Sequence, residues 1–334
     1  MMNKMESATA IACMAVIGSL SLVSAGMVRS GGNGSITSQD ADKIRNLHQA
    51  MLQFACDDPT GALPTPGRIN RWTDRYRGSA PGVGPENQMK NNSSNLYSAL
   101  VAQQFITTAD LISPAEVSDV VREYNGTDAD GKPTGTGYEY EEYNPAEDIY
   151  WVGDVADPGE ITPGQAPSTS SNERFQVKIH RPVPYGVAHV SYAHLQLCGK
   201  RKLKNWRVDA GAEKPVLSNR GPKNGATSGE DYTQSPTLLF HEPRDAWNGN
   251  VLFADGHVIF TGSMQPAGVI YECEIGVDGP LPDNIFAADF DECFESDEYQ
   301  GGDTWLCLNE VVFSYEDGFQ KAYRTIGLYD ALLD

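Results

Sequence analysis

The sequence predicts a loop-rich α+β body, and three observations predict it. Apolar residues recur at helical spacing between Asp40 and Cys56. Late in the chain, two apolar runs flank Asp255-Gly256, the pattern of a β-hairpin. Glycine (33) and proline (20) are frequent enough in 334 residues to place turns throughout. A hydrophobic share of 40% is sufficient for a packed core and argues against disorder. Acidic residues number 45 against 25 basic, a formal net charge of −20. That excess disfavours a nucleic-acid partner, whose footprint would be basic, and docking on anionic head groups.

The amino terminus sets the compartment. Ala8 to Val28 carries no charge over 21 residues, with Lys4 before it and Glu6 in the flank. It reads as a secretory signal peptide, with Val23-Ser24-Ala25 before the cut, as a retained membrane anchor, as a pilin-type leader, or as a buried core helix. The first three place the body outside the cytoplasm: periplasm, cell surface or medium. Residues 1–36 are thus leader or anchor plus linker. Residues 37–334 form one α+β domain with loop-rich insertions at about 57–92 and 125–173.

Within that domain, Thr37 or Ser38 is positioned to cap the first helix, with Asp40 and Asp42 in its first turn. Ile44, Leu47, Met51, Phe54 and Ala55 form its stripe. Ser94 is the expected cap of a second helix bearing Leu96, Tyr97, Leu100, Val101 and Phe105. Ser113-Pro114-Ala115-Glu116 predicts a third, with a capping serine, proline at the first position and glutamate three after the cap. Val117, Val120, Val121 and Tyr124 continue it. Residues 174–197 alternate as a strand does. A two-residue Asp-Gly loop pairs Phe253 with Val258, Leu252 with Ile259 and Val251 with Phe260, with positive φ at both loop positions. Such a hairpin, apolar on both faces, belongs in the middle of a sheet covered on both sides.

Chemistry-bearing patterns are sparse. GxSxG, HExxH, P-loop and GxGxxG signatures are all absent from the sequence. His189 and His194 are five apart, on opposite faces of a strand, and so make a poor metal pair. His48 reads as a helix–sheet contact. Cys13 lies in the apolar stretch; Cys56, Cys198, Cys273, Cys293 and Cys307 are an odd number, and the sequence leaves their pairing open. Asp289, Asp291, Glu295, Asp297 and Asp303 supply oxygen ligands in the pattern of a calcium loop, or of a solvated acidic surface. Glu139, Glu141 and Glu142 among Tyr138, Tyr140 and Tyr143 suit a sugar-facing patch or an edge strand. The basic run Lys200-Arg201-Lys202-Leu203-Lys204 is expected to close contacts within the protein or between subunits.

Five blocks together resemble a known bacterial family. They are KIRNLHQAMLQFACDDPTGALPTPG after the apolar start, SPAE at 113, SYAHLQLCGKRK at 191, LSNRGPKNG at 217 and HEPRDAWNGNVLFADGHVIF at 241. The chain looks like the planctomycete-type pilin-like proteins with a prepilin-type leader and an H-x(9)-DG carboxy-terminal domain. Here thirteen residues separate His241 from Asp255. The resemblance implies an amino-terminal helix packed on an antiparallel sheet, with His241, Asp255 and Gly256 as its structural motif, and it favours calcium in the carboxy-terminal acidic loop. It also implies a non-catalytic pilin- or pseudopilin-like structural or assembly protein. Its partners would be further copies or a secretion assembly, and the membrane if the leader is retained. The alternative reading is an extracytoplasmic carbohydrate-binding module or hydrolase.

Overall fold

The first helix begins before the stripe that announced it. In the computed structural model, which describes residues 35–56, 58–74, 78–81, 86, 91–119, 121–125, 135, 188–197, 199–242, 244–271, 279–287, 305–311 and 329–332, helix α1 spans Ile36–Ala55. Its cap is Ser35, whose Oγ accepts from the Ser38 N–H at 3.2 Å, not Thr37 or Ser38. Thr37 lies two residues past the cap, already inside the first turn, and its hydroxyl is engaged with His241 instead. Asp40 therefore falls in the second turn, not the first. Ile44, Leu47, His48, Met51 and Ala55 are buried along one face, as the spacing predicts.

Short elements follow: α2 (Pro66–Ile69), and an antiparallel ribbon of β1 (Asn70–Asp74) and β2 (Gly78–Pro81). Helix α3 spans Ser93–Ala102 and is capped by Asn92, whose side chain accepts from the Asn95 N–H at 2.8 Å, not by Ser94. Then come β3 (Tyr192–Leu195), α4 (Gly199–Asn205), β4 (Pro215–Asn219), α5 (Glu230–Thr233), β5 (Gly249–Phe253), β6 (Val258–Thr261), the short pair β7 (Ile270–Tyr271) and β8 (Leu281–Pro282), β9 (Leu306–Val311) and β10 (Tyr329–Leu332).

The architecture is mixed α+β. Six strands pair antiparallel in the order β10-β9-β3-β4-β5-β6. Helix α1 lies on β4, β5 and β6, and α3 packs against β9. Tyr192 and His194 share one face of β3 by alternation. Tyr192 reaches α1 and His194 reaches α3, so both helices cover the same face. Strands β3, β4 and β5 are buried at every residue, so β3 shows no polar/apolar alternation in burial. Trp206, Trp247, Ile285 and Phe286 complete the core.

Three expectations need correction. No helix starts at Ser113: residues 113–119 are turn and irregular chain. The Ser113 hydroxyl accepts from the Ala115 N–H at 3.0 Å but donates to Asp40, and Glu116 is held by Arg220, so neither closes a capping box. The hairpin register is shifted by one. Leu252 faces Val258, Val251 faces Ile259 and Asn250 faces Phe260, because the loop has three residues, Ala254-Asp255-Gly256, closed by Phe253 N–H to His257 O at 3.0 Å. Only Gly256 takes positive φ in that loop, 87°, the arrangement of a turn followed by a left-handed bulge residue. Finally, the hairpin is not central. β5 is interior, whereas β6 is the sheet edge among the described strands and is only partly buried.

Candidate functional site

The densest polar arrangement surrounds Asp40. Its carboxylate is fully buried. Oδ1 accepts from the Ser113 hydroxyl and from the Tyr192 phenol at 2.9 Å; Oδ2 accepts from Asn250 Nδ2 at 2.8 Å. Asn250 Nδ2 also donates to Thr37 O at 3.1 Å, and the Asn250 backbone N–H donates to Asn219 Oδ1 at 2.7 Å. His241 lies alongside, with Nδ1 at 3.3 Å from Thr37 Oγ1 and Nε2 at 4.0 Å from Asp40 Oδ2. Its Nε2 is buried without a hydrogen-bond partner. Burial lowers the His241 pKa, and the Asp40 charge offsets this only in part. The arrangement joins α1, β3, β5 and the segments at 113 and 241 into one clasp. Asp40→Asn puts an amide donor where Oδ2 accepts from Asn250. A loss of about 1–3 kcal/mol is expected, read as a lowered urea midpoint with unchanged slope; an unaltered midpoint would show that the clasp carries no stability.

The motif pair Asp255-Gly256 lies at the hairpin tip, above α1. A Cβ on Gly256 would stand 3.9 Å from His48 Nδ1, so His48 lies beside the hairpin turn. Asp255 Oδ1 accepts from the backbone N–H and the ring Nδ1–H of His257. Partial burial raises the Asp255 pKa, but the two hydrogen bonds outweigh it and leave the carboxyl below its ordinary value. The His257 ring stacks on Phe253 with centroids 4.5 Å apart. A Cβ at 256 has room, but Gly256→Val must adopt left-handed φ, an expected cost of about 1–3 kcal/mol. Asp255→Asn keeps an acceptor for the His257 N–H and is expected to cost less than about 1 kcal/mol. Thermal melts run side by side check both; equal losses would sink the turn assignment.

Two further buried constellations were not legible in the sequence. His194 Nδ1–H donates to Leu195 O at 2.7 Å, which leaves Nε2 as the acceptor for the Ser93 hydroxyl at 2.7 Å. This tautomer matches a base drawing a serine proton, yet Ser93 and His194 are both fully buried among Tyr97 and Trp206, where they serve the core. Burial lowers the His194 pKa to about 4. Arg220 Nη2 donates to both Glu116 oxygens at 2.9 and 3.0 Å, and Nε donates to Oε2 at 3.3 Å.

Within the basic run, Arg201 and Lys202 are used internally. Arg201 lies 4.0 Å over the Trp305 ring and donates to Asp283 at 2.7 Å; Lys202 pairs with Glu86. His189 donates from Nδ1 to Arg122 O at 3.0 Å, apart from His194. Cys307 is buried, and burial pushes its thiol pKa up.

Among the described residues no group of three or more His, Cys, Asp or Glu is arranged to hold a metal ion. The calcium candidates Asp289, Asp291, Glu295, Asp297 and Asp303 lie outside the described residues, as do residues 1–34, the tyrosine-rich patch at 138–143, nearly all of 125–173, and Cys198, Cys273 and Cys293. Set against protein-family models, curated proteins and solved structures, the chain matches none, so its functional reading rests on its own residues.

Proposed function

We propose that the protein is an exported, pilin- or pseudopilin-like structural or assembly protein, held at the membrane through its amino-terminal segment and performing no catalysis. One observation carries the reading: the end of α1 nearest the uncharged stretch in sequence is the end clasped to the sheet. Asp40 and Thr37, within the first two turns, are bonded to Ser113, Tyr192, Asn250 and His241. A body positioned through its amino terminus needs this joint, because any load on the upstream segment passes into α1 before it reaches the sheet. Burial of the polar clusters supports the same reading, since Ser93, His194, Asp40 and Arg220 face the core.

Cell fractionation, amino-terminal sequencing and native mass of the full chain test it. The expected result is a body outside the cytoplasm, the uncharged stretch retained, and assemblies larger than one chain. A monomer in the medium beginning after Ala25 would overturn the assembly reading.

A further inference from the structure

We propose that the end of the body bearing Ile36, Leu239 and Phe260 rests on a zwitterionic lipid surface, with these three side chains in the interfacial layer. This rests on the anchored reading above. The three are 54%, 43% and 47% exposed, large for apolar side chains. They share one end of the molecule. Thr37, beside Ile36, touches His241. The His241 ring meets Phe260 edge-on, centroids 5.1 Å apart. Leu239 lies two residues before His241, and Asn250, opposite Phe260 on β5, donates to Thr37 O. The clasp that fixes α1 thus also fixes the patch.

The chain upstream decides the occupant. Seven residues separate Val28, the last of the uncharged stretch, from Ile36; fully extended they reach roughly 25 Å. With that stretch in a bilayer, the patch is confined to the neighbourhood of the membrane boundary. Val208, another exposed apolar residue, is bonded to Gly61 beyond the far end of α1. The 20-residue helix that separates Gly61 from Ile36 in sequence is about 30 Å long. A second copy fits less well. Three half-exposed side chains offer a few hundred Å² on each copy, short of the ~800 Å² per partner of a stable pairing. A lipid surface needs no such area, because the tether keeps the patch at high effective concentration and the patch has only to orient the body. Charge selects the lipid: the net charge is −20 overall, and exposed Glu242, Arg244 and Asp245 close by leave one negative charge once Arg244 pairs with Glu242, so anionic head groups are disfavoured at this end.

The full chain, reconstituted in phosphatidylcholine vesicles, tests this with an environment-sensitive fluorescent amino acid in place of Phe260, of Ile36 or of Val208. Flotation reports anchoring, and quenching by lipids brominated on the acyl chains reports contact. The expected result is flotation of all three, with loss of fluorescence at 260 and 36 and none at 208. The probe at 36 repeats the reading if replacing Phe260 weakens β6. Flotation without quenching at 260 and 36 overturns the inference and leaves the anchored reading standing; failure to float overturns both. Shielding of the probes without lipid, together with a doubled native mass, identifies a second copy as the occupant and also overturns it. Stronger quenching at low salt with phosphatidylglycerol overturns the assignment to zwitterionic lipid.

Discussion

Lowering the pH from 7 to 5 is expected to cost the fold about 5–6 kcal/mol, enough to unfold a domain of ordinary stability. His48, His189 and His194 each have a pKa lowered from 6.5 to about 4. Burial is the leading cause in all three. The Asp255 charge opposes it at His48, and the bonds to Arg122 O and Leu195 O oppose it at His189 and His194. The folded state keeps these rings neutral down to about pH 4, whereas in the unfolded chain they gain protons from about 6.5. Between those values the unfolded state binds more protons, so stability falls as pH falls, by about 2 kcal/mol per ring at pH 5. Urea unfolding midpoints at pH 7, 6 and 5 check this. His48→Leu removes one titrating ring and should flatten the dependence by about a third; a stability that stays level from pH 7 to 5 would refute the account.

Glu116→Ala is expected to cost about 3–5 kcal/mol, because it leaves the Arg220 guanidinium charged, dry and unpaired. Side-chain exposure is 0% for Arg220 and 3% for Glu116, so water does not replace the lost carboxylate. Phe240, 5.3 Å from the guanidinium, offers a ring face but no acceptor. Replacing both partners, Glu116→Leu with Arg220→Met, removes the charge along with its counter-charge and should cost far less than the sum of the single changes. A double-mutant cycle by urea unfolding reads the coupling. A Glu116→Ala loss below about 1 kcal/mol would mean that the pair is hydrated and its burial irrelevant.

What was legible in the sequence was local. Ile44, Leu47 and Met51 announce α1 because a helix repeats every 3.6 residues whatever surrounds it. Asp255-Gly256 announces a hairpin because turn conformation is a property of adjacent residues. The same doublet gave the wrong register, since Asp-Gly serves both a two-residue loop and the last positions of a three-residue one; only the bond between Phe253 and His257 decides. Ser113-Pro114-Ala115-Glu116 has every local mark of a helix start and is not one. Its serine hydroxyl goes to Asp40, 73 positions away, and its glutamate to Arg220, 104 positions away. Asp40 itself looked like a helix-dipole residue and is instead the hub of the clasp, with Tyr192 and Asn250 at separations of 152 and 210. No periodicity encodes partners that distant.

The strand order carries a consequence for how the chain comes to be folded at all. β3 sits between β4, its near neighbour in sequence, and β9, which is made more than a hundred residues later. On a ribosome adding about 5–20 residues per second, one flank of β3 stays without its partner for on the order of ten seconds after the strand emerges. Throughout that interval Tyr192, Ala193 and Leu195, wholly buried in the finished sheet, border an open row of backbone donors and acceptors. Such an edge invites the wrong strand, from this chain or another. Non-local closure of this kind is slow in its own right. The newborn polypeptide therefore depends on being shielded, or kept unfolded, until its last two strands arrive.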